Sequence, residues 1–276
     1  MTVNATDSIR RHGIGKNIAV ITGASSGLGE VFYETIARRY PDLDEIWLIA
    51  RRKDRLARLA VRFPDIRAQV RSLSFDLADP ASYDALAAML ANEKPVVRTL
   101  INNAGVERDG LFRNASARDI HAMIDLNVMG VTMVNHVFLP YMCEGSFEVI
   151  TGSVSSFAPI PWQAVYSASK AYVRFLARAL HEEERRRGVN ILLMSPGNMN
   201  TEMNVKGASG GKLGRLPYLD LSREVERTLI MAECGRAGYT PMLFYKLYYA
   251  FTKLMPSALA VKVASLEDGG TVRQQC

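Results

Sequence analysis

The chain has 276 residues, 48% of them hydrophobic, a formal net charge of +6 and three cysteines. That composition supplies ample core for an α/β domain, while no apolar run reaches the ~18 residues of a membrane span. Cys143, Cys234 and Cys276 are odd in number and far apart, which excludes a disulfide framework and fits reduced thiols in a cytoplasmic protein.

The positive charge does not form a basic stripe interleaved with aromatics. Its densest cluster, Arg185-Arg186-Arg187, follows Glu182-Glu183-Glu184 at an expected helix end, where cations suit the dipole. No nucleic-acid partner is expected. His12, His121, His136 and His181 show no metal-ligand spacing with each other or with the cysteines, so no metal is expected either.

Residues 1–16 are polar and lack the apolar core of a signal peptide; they read as an N-terminal extension. Strand-like and helix-like stretches then alternate, the pattern of a doubly wound, mainly parallel sheet flanked by helices on both faces. Strands are expected over residues 18–21, 45–50, 70–75, 99–101, 147–151 and 190–194. Helices are expected over 28–40, 53–63, 79–92, 117–138, 165–187 and 222–236. The economical division is one Rossmann-type domain over 17–241 and an aromatic, helical extension over 242–276 packed on it. Residues 198–221 hold four glycines and little periodicity, which suggests a mobile lid.

Tyr166 and Lys170 lie four apart on one helix face. A free tyrosine titrates near ~10. A fixed cation close by favours the phenolate and lowers that value, making Tyr166 a usable general acid or base. Upstream, Thr22-Gly23-Ala24-Ser25-Ser26-Gly27-Leu28-Gly29 joins the first strand to the first helix. Glycines there permit a tight turn and close approach of a pyrophosphate to the helix N-terminus. The next strand ends Ile49-Ala50-Arg51-Arg52, with no carboxylate before Asp54. An acid at that place binds the ribose 2′-hydroxyl of NAD, whereas an arginine accommodates a 2′-phosphate. Arg51 therefore leans the NAD(P)(H) site toward NADP(H), with NAD(H) still open.

Thr22 to Gly29, Asn102-Asn103-Ala104-Gly105, Asn127, Ser153, Tyr166 with Lys170, and Pro196-Gly197 occur in the order and spacing of the short-chain dehydrogenase/reductase family. The chain resembles that family over residues 16–201 and again near 222–236, and its overall style resembles bacterial hydroxysteroid dehydrogenases. The resemblance implies hydride transfer between a secondary alcohol and a ketone. Tyr166 would move the proton, Lys170 would lower its pKa and hold the nicotinamide ribose, and Ser153 would hydrogen-bond the substrate oxygen. Asn127 would shape its helix and hold a water leading to Lys170. The cofactor would run along Gly23, Ser25, Ser26, Gly27, Leu28, Arg51, Asp76, Leu77, Asn103, Ala104, Gly105, Tyr166, Lys170, Pro196, Gly197, Met199 and Thr201. A homodimer or homotetramer is implied as well.

Three departures from the family stand out: the N-terminal extension, the crowding of Ser153 by Ser155 and Ser156, and Tyr239-Thr240-Pro241 where many members have a short closing strand. The substrate pocket is expected among Phe157, Pro159, Ile160, Pro161, Trp162, the glycine-rich stretch and the C-terminal aromatics. That lining suits a bulky hydrophobic ketone, a steroid by preference and a fatty or polyketide ketone as the alternative. A nucleotide-sensing protein without catalysis is the competing class, and residues 242–255 would also serve as an amphipathic membrane foot.

Overall fold

The computed structural model describes residues 15–63, 65–199 and 219–266. Among these, seven strands lie parallel: β1 (Asn17–Thr22), β2 (Glu45–Ala50), β3 (Gln69–Ser74), β4 (Val96–Asn102), β5 (Phe147–Thr151), β6 (Asn190–Met194) and β7 (Gly238–Tyr239). Their order across the sheet is β3-β2-β1-β4-β5-β6-β7. The direction of winding reverses between β1 and β4, which opens a crevice at the carboxyl ends of these strands.

Side chains alternate along each strand, so a strand covered on both faces must be apolar throughout. β1 shows how this works. Ala19 and Ile21 join one core with Phe32, Ile36, Val225 and Leu229, beneath α1 (Leu28–Arg39) and α7 (Leu221–Glu233). Ile18 and Val20 join the other with Leu86, Leu90, Val134, Phe138 and Val173. That second core lies beneath α3 (Ala81–Glu93), α5 (Val131–Phe138) and α6 (Ala164–Glu184). The short α2 (Lys53–Ala60) crosses from β2 to β3.

The helix expected over 117–138 is present with a break in its winding. α4 (Ala117–Ile124) runs into a π-helical turn (Asp125–Gly130) that contains Asn127, and α5 continues from it. This corrects one expectation. Residues 117–141 form a helix long and apolar enough to cross a membrane, but half of its apolar window is buried, with Val131, Val134 and Phe138 in the core. It is a core helix.

The family departure at Tyr239 is also corrected. Gly238 and Tyr239 pair with Leu193 and Met194 as β7, a two-residue strand too short to leave an alternation in the sequence. Beyond it, α8 (Leu243–Leu254) and α9 (Ser257–Leu266) complete the described chain. α8 is anchored through Tyr245, which is 1% exposed, whereas Leu243, Leu247 and Leu254 face outward. The N-terminal extension before residue 15 and residues 200–218 of the expected lid lie outside the described residues. The two ends of that stretch meet, with Met199 bridged to Leu219.

Candidate active site

The glycine-rich turn is shaped by contacts that leave no room for side chains. Gly23 N donates to Ile49 O at 2.9 Å, tying the turn to the end of β2. A Cβ on Gly29 would lie 2.3 Å from Gly23 O, so only glycine lets the helix start this close to the turn. α1 begins at buried Leu28 after Gly27, with no side chain capping its N-terminus. Uncapped amides at the positive end of a 12-residue helix are a fitting seat for a pyrophosphate.

Arg51 is exposed, with its guanidinium 4.0 Å from Asp76 Oδ2. Its neighbour Arg52 reaches the turn, donating to Ser25 Oγ at 2.9 Å and to Ser26 Oγ at 2.7 Å. Sequence reasoning chose Arg51 and passed over Arg52, although both stand where a 2′-phosphate would be read. Asp76 accepts from Ala78 N at 3.1 Å, which turns the chain after β3 and leaves its exposed carboxylate at the crevice rim. Leu77 is buried beside it.

Beyond β4, Thr22 Oγ1 accepts from the backbone amides of Asn103 (2.9 Å) and Ala104 (3.0 Å), while Thr151 Oγ1 donates to Asn103 Oδ1 at 3.2 Å. Asn103 thus bridges β1 to β5 across the crevice floor, with Ala104 and Gly105 following it. A Cβ on Gly105 would lie 3.2 Å from Asn127 Oδ1 and 3.6 Å from Lys170 Nζ. Asn127 is completely buried and clamps Val106 at both ends of its peptide, accepting from its N–H and donating to its C=O, each at 2.8 Å. It also donates to Ser169 Oγ at 3.1 Å. With both ends of the amide in use, its side chain fixes the loop after β4.

Tyr166, Lys170 and Ser153 converge as expected, at 6%, 4% and 8% exposure. Ser153 Oγ accepts from Ser155 N at 3.1 Å, and Ser156 Oγ donates to Ser153 O at 2.7 Å. The crowding serines therefore hold Ser153 in place. Lys170 Nζ donates to Thr151 O at 2.9 Å and lies 5.8 Å from the Tyr166 ring centre.

The expectation that Lys170 draws the phenol down toward neutrality is not met in this geometry. Burial pushes the Tyr166 pKa well above the ordinary tyrosine value, and the Glu107 carboxylate adds to the rise against a hydrogen bond with Ser153. Burial also pulls Lys170 down to about 8, with Glu107 opposing. Desolvation disfavours both charged forms and is the largest cause of each shift.

Pro196 is buried and accepts from Val154 N at 3.1 Å through its carbonyl. A Cβ on Gly197 would sit 2.1 Å from Cζ of Tyr245, and the Tyr245 hydroxyl accepts from Asn198 N at 3.3 Å. Met199 packs partly buried against the core, and Thr201 lies outside the described residues.

Three contributors escaped sequence reasoning. Glu107 bonds Gln163, and Arg174 stacks on Phe157 and Tyr249, its guanidinium carbon 5.0 Å and 4.1 Å from the two ring centres. Arg174 was detectable, because it continues the Tyr166–Lys170 face by four residues. Nothing in the sequence paired Glu107 with Gln163 or joined Tyr249 to Phe157. Trp162, named from sequence as pocket lining, has φ 65° and a buried indole N–H without a partner, a strained residue of the kind held at functional sites. Among the described residues no three His, Cys, Asp or Glu side chains are grouped to hold a metal.

A family model described as short chain dehydrogenase matches residues 17–210. The chain belongs to the short-chain dehydrogenase family. It is an NAD(P)(H)-dependent oxidoreductase acting on alcohols and carbonyl compounds, and it is an enzyme rather than a sensor that has lost its chemistry.

Relatives of this short-chain dehydrogenase include sulfoacetaldehyde reductase 2 of Chromohalobacter salexigens, 33% identical over 70% of this chain and 77% of its own. The mouse (Mus musculus) very-long-chain 3-oxoacyl-CoA reductase is 30% identical over 89% of this chain and 77% of its own. Among solved structures, a short-chain dehydrogenase from Sphingobium yanoikuyae in complex with NADPH aligns with TM-score 0.73 and 30% identity, covering 87% of this chain and 94% of that one. A bulky-bulky ketone specific alcohol dehydrogenase from Comamonas testosteroni aligns with TM-score 0.70 and 27% identity, covering 86% and 93%. The hydroxysteroid resemblance finds no counterpart among these names.

Proposed function

We propose that this enzyme reduces a bulky, largely apolar and uncharged ketone with NADPH. One observation carries the reading: the aromatic face of α8 closes over the loop that follows Ser153. Phe157 lies 5.0 Å from Tyr249 and 6.1 Å from Tyr248 between ring centres, and the Arg174 guanidinium packs against both Phe157 and Tyr249. Such a wall offers area and few charges, the lining of a pocket for a large hydrophobic ligand. The names of the mouse and Comamonas relatives point the same way, toward a long-chain oxoacyl group and toward a ketone bulky on both sides. A steroid ketone fits that class and remains our favoured member, with a long-chain acyl ketone as the second.

Bound NADPH supplies the hydride. The α1 N-terminus and its glycine-rich turn would hold the pyrophosphate, and Arg52 with Arg51 would hold the 2′-phosphate. Tyr166, kept protonated by burial, is in the form that a reduction consumes, and gives its proton to the carbonyl oxygen. Ser153 accepts from Ser155 N, so its own hydroxyl proton is available to the same oxygen as charge builds there. Lys170, bonded to Thr151 O, would steady the ribose and return a proton to Tyr166. Asn127 acts through Val106, holding the loop on which the ketone rests. The exposed Phe175 on α6 and Met129 support the expectation of a homo-oligomer.

Purified protein mixed with NADPH and a panel of steroid ketones, long-chain 3-oxoacyl thioesters and small carbonyls tests this. Consumption of NADPH with a bulky ketone is expected. Turnover of small charged aldehydes alone would overturn the reading.

A further inference from the structure

Glu107 is an acid in an unexpected place. It follows Val106, the residue that Asn127 clamps, and its loop is tied to the loop after Ser153 where Gly110 N donates to Trp162 O at 2.8 Å. Glu107 Oε1 accepts from Gln163 Nε2 at 3.0 Å. Gln163 Oε1 in turn accepts from Ser155 Oγ at 3.2 Å, and Ser155 N donates to Ser153 Oγ at 3.1 Å. An ionised carboxylate can only accept hydrogen bonds. It therefore orients the Gln163 amide with its N–H toward Glu107 and its carbonyl toward Ser155.

We propose that Glu107 is a positioning and specificity-determining residue, which orders Ser153 through Gln163 and Ser155 and excludes substrates bearing a negative charge beside the reacting carbonyl. The inference rests on the proposed reading of the site as a ketone reductase. A carboxylate or sulfonate next to that carbonyl would meet a second anion in a desolvated crevice, where like charges repel strongly. Specific sites use built-in repulsion as well as fit.

The groups facing Glu107 are Asp109 on its own loop and Lys170 and Tyr166 on α6. Burial, with Asp109 adding and Lys170 opposing, pushes the Glu107 carboxyl up to about 7. Its charge acts on both Tyr166 and Lys170. The exclusion of anions is thus strongest above neutrality and relaxes as pH falls and Glu107 takes up a proton.

Methyl benzoylformate and benzoylformate form a matched pair, one neutral and one anionic beside the same ketone. Their kcat/KM ratio with NADPH should favour the ester by about tenfold more at pH 8.5 than at pH 6. In Glu107→Gln, which keeps a hydrogen-bonding partner for Gln163 without the charge, the ratio should fall by about tenfold at pH 8.5 and keep only the shallower pH dependence that Lys170 contributes. Glu107→Asp should retain the preference. A ratio unchanged in Glu107→Gln, or equal losses on both substrates, would reduce Glu107 to a structural residue.

Dissociation constants of the same pair, read from tryptophan fluorescence with NADP+ bound so that no reduction occurs, give a second measurement independent of turnover. If wild type reduces neither this pair nor any ketone of the bulky panel, the proposed function fails. The binding comparison still decides Glu107: a gap between ester and acid that closes in Glu107→Gln supports the inference, and an unchanged gap overturns it. Should Glu107→Gln fold poorly, a wild-type binding gap that is flat from pH 6 to pH 8.5 overturns it as well.

Discussion

The cofactor crevice and the C-terminal wall lie on the same sheet but are built on different principles. Around β1, the turn and α1, the contacts that matter are made by backbone: Gly23 N on Ile49 O, the amides of Asn103 and Ala104 on Thr22, and the close approach of Gly29 to Gly23. The C-terminal wall is made by side chains from distant parts of the chain, Phe157, Arg174 and Tyr249. Backbone sites constrain residue type tightly over a few positions, because glycine or a small hydroxyl is the only solution. A stacked wall accepts many aromatic or apolar combinations. On our proposed reading, the first region holds the cofactor and the second sets the substrate.

The comparison can be tested from both sides. The largest effect is expected from Tyr166→Phe, which removes only the proton-carrying oxygen. Turnover should fall by about 10²–10⁴, the usual worth of general acid catalysis, while the NADPH dissociation constant changes by less than about twofold. Activity within about tenfold of wild type would take proton transfer away from Tyr166.

Gly197→Ala comes next, because its Cβ would enter the Tyr245 ring and push α8 off the loop after β6. Overpacking of this kind costs about 1–3 kcal/mol, read as a melting temperature lower by about 2–10 °C. An unchanged melting curve would mean that α8 is not seated on Gly197.

Arg52→Ala removes a single bond and acts on cofactor binding alone. Loss of one charge-assisted bond, about 1–3 kcal/mol, should weaken NADPH by roughly tenfold and leave NADH nearly untouched. Arg51→Ala should do less, since its guanidinium is near Asp76 rather than the turn. Equal losses for both cofactors in Arg52→Ala would mean that it supports the turn without reading the phosphate.

Much of the frame was legible in the sequence. β2, β5 and β6 have the expected bounds, because each is a short apolar run closed by turn residues and buried along nearly its whole length. Tyr166 and Lys170 were legible because a spacing of four puts them on one helix face, whereas Ser153, in the loop after β5, was legible only through the family resemblance. What escaped depends on contacts across the chain. The π turn at Asn127 contains a side chain held by Val106 and Ser169, contacts that no periodicity reveals. The choice between Arg51 and Arg52 depends on which neighbouring side chain turns back over Ser25. The titration of Tyr166 was misjudged because spacing shows proximity to Lys170 but not the depth of burial.

The division between frame and wall is tested most directly by measuring two quantities on two variants side by side: NADPH affinity, and the rank order of kcat/KM across the ketone panel, in Arg52→Ala and Tyr249→Ala. The account predicts a crossed result. Arg52→Ala should weaken NADPH while keeping the ketone order, and Tyr249→Ala should reorder the ketones with NADPH affinity unchanged. Weakening of NADPH by Tyr249→Ala to the same extent, or a new ketone order in Arg52→Ala, would contradict it.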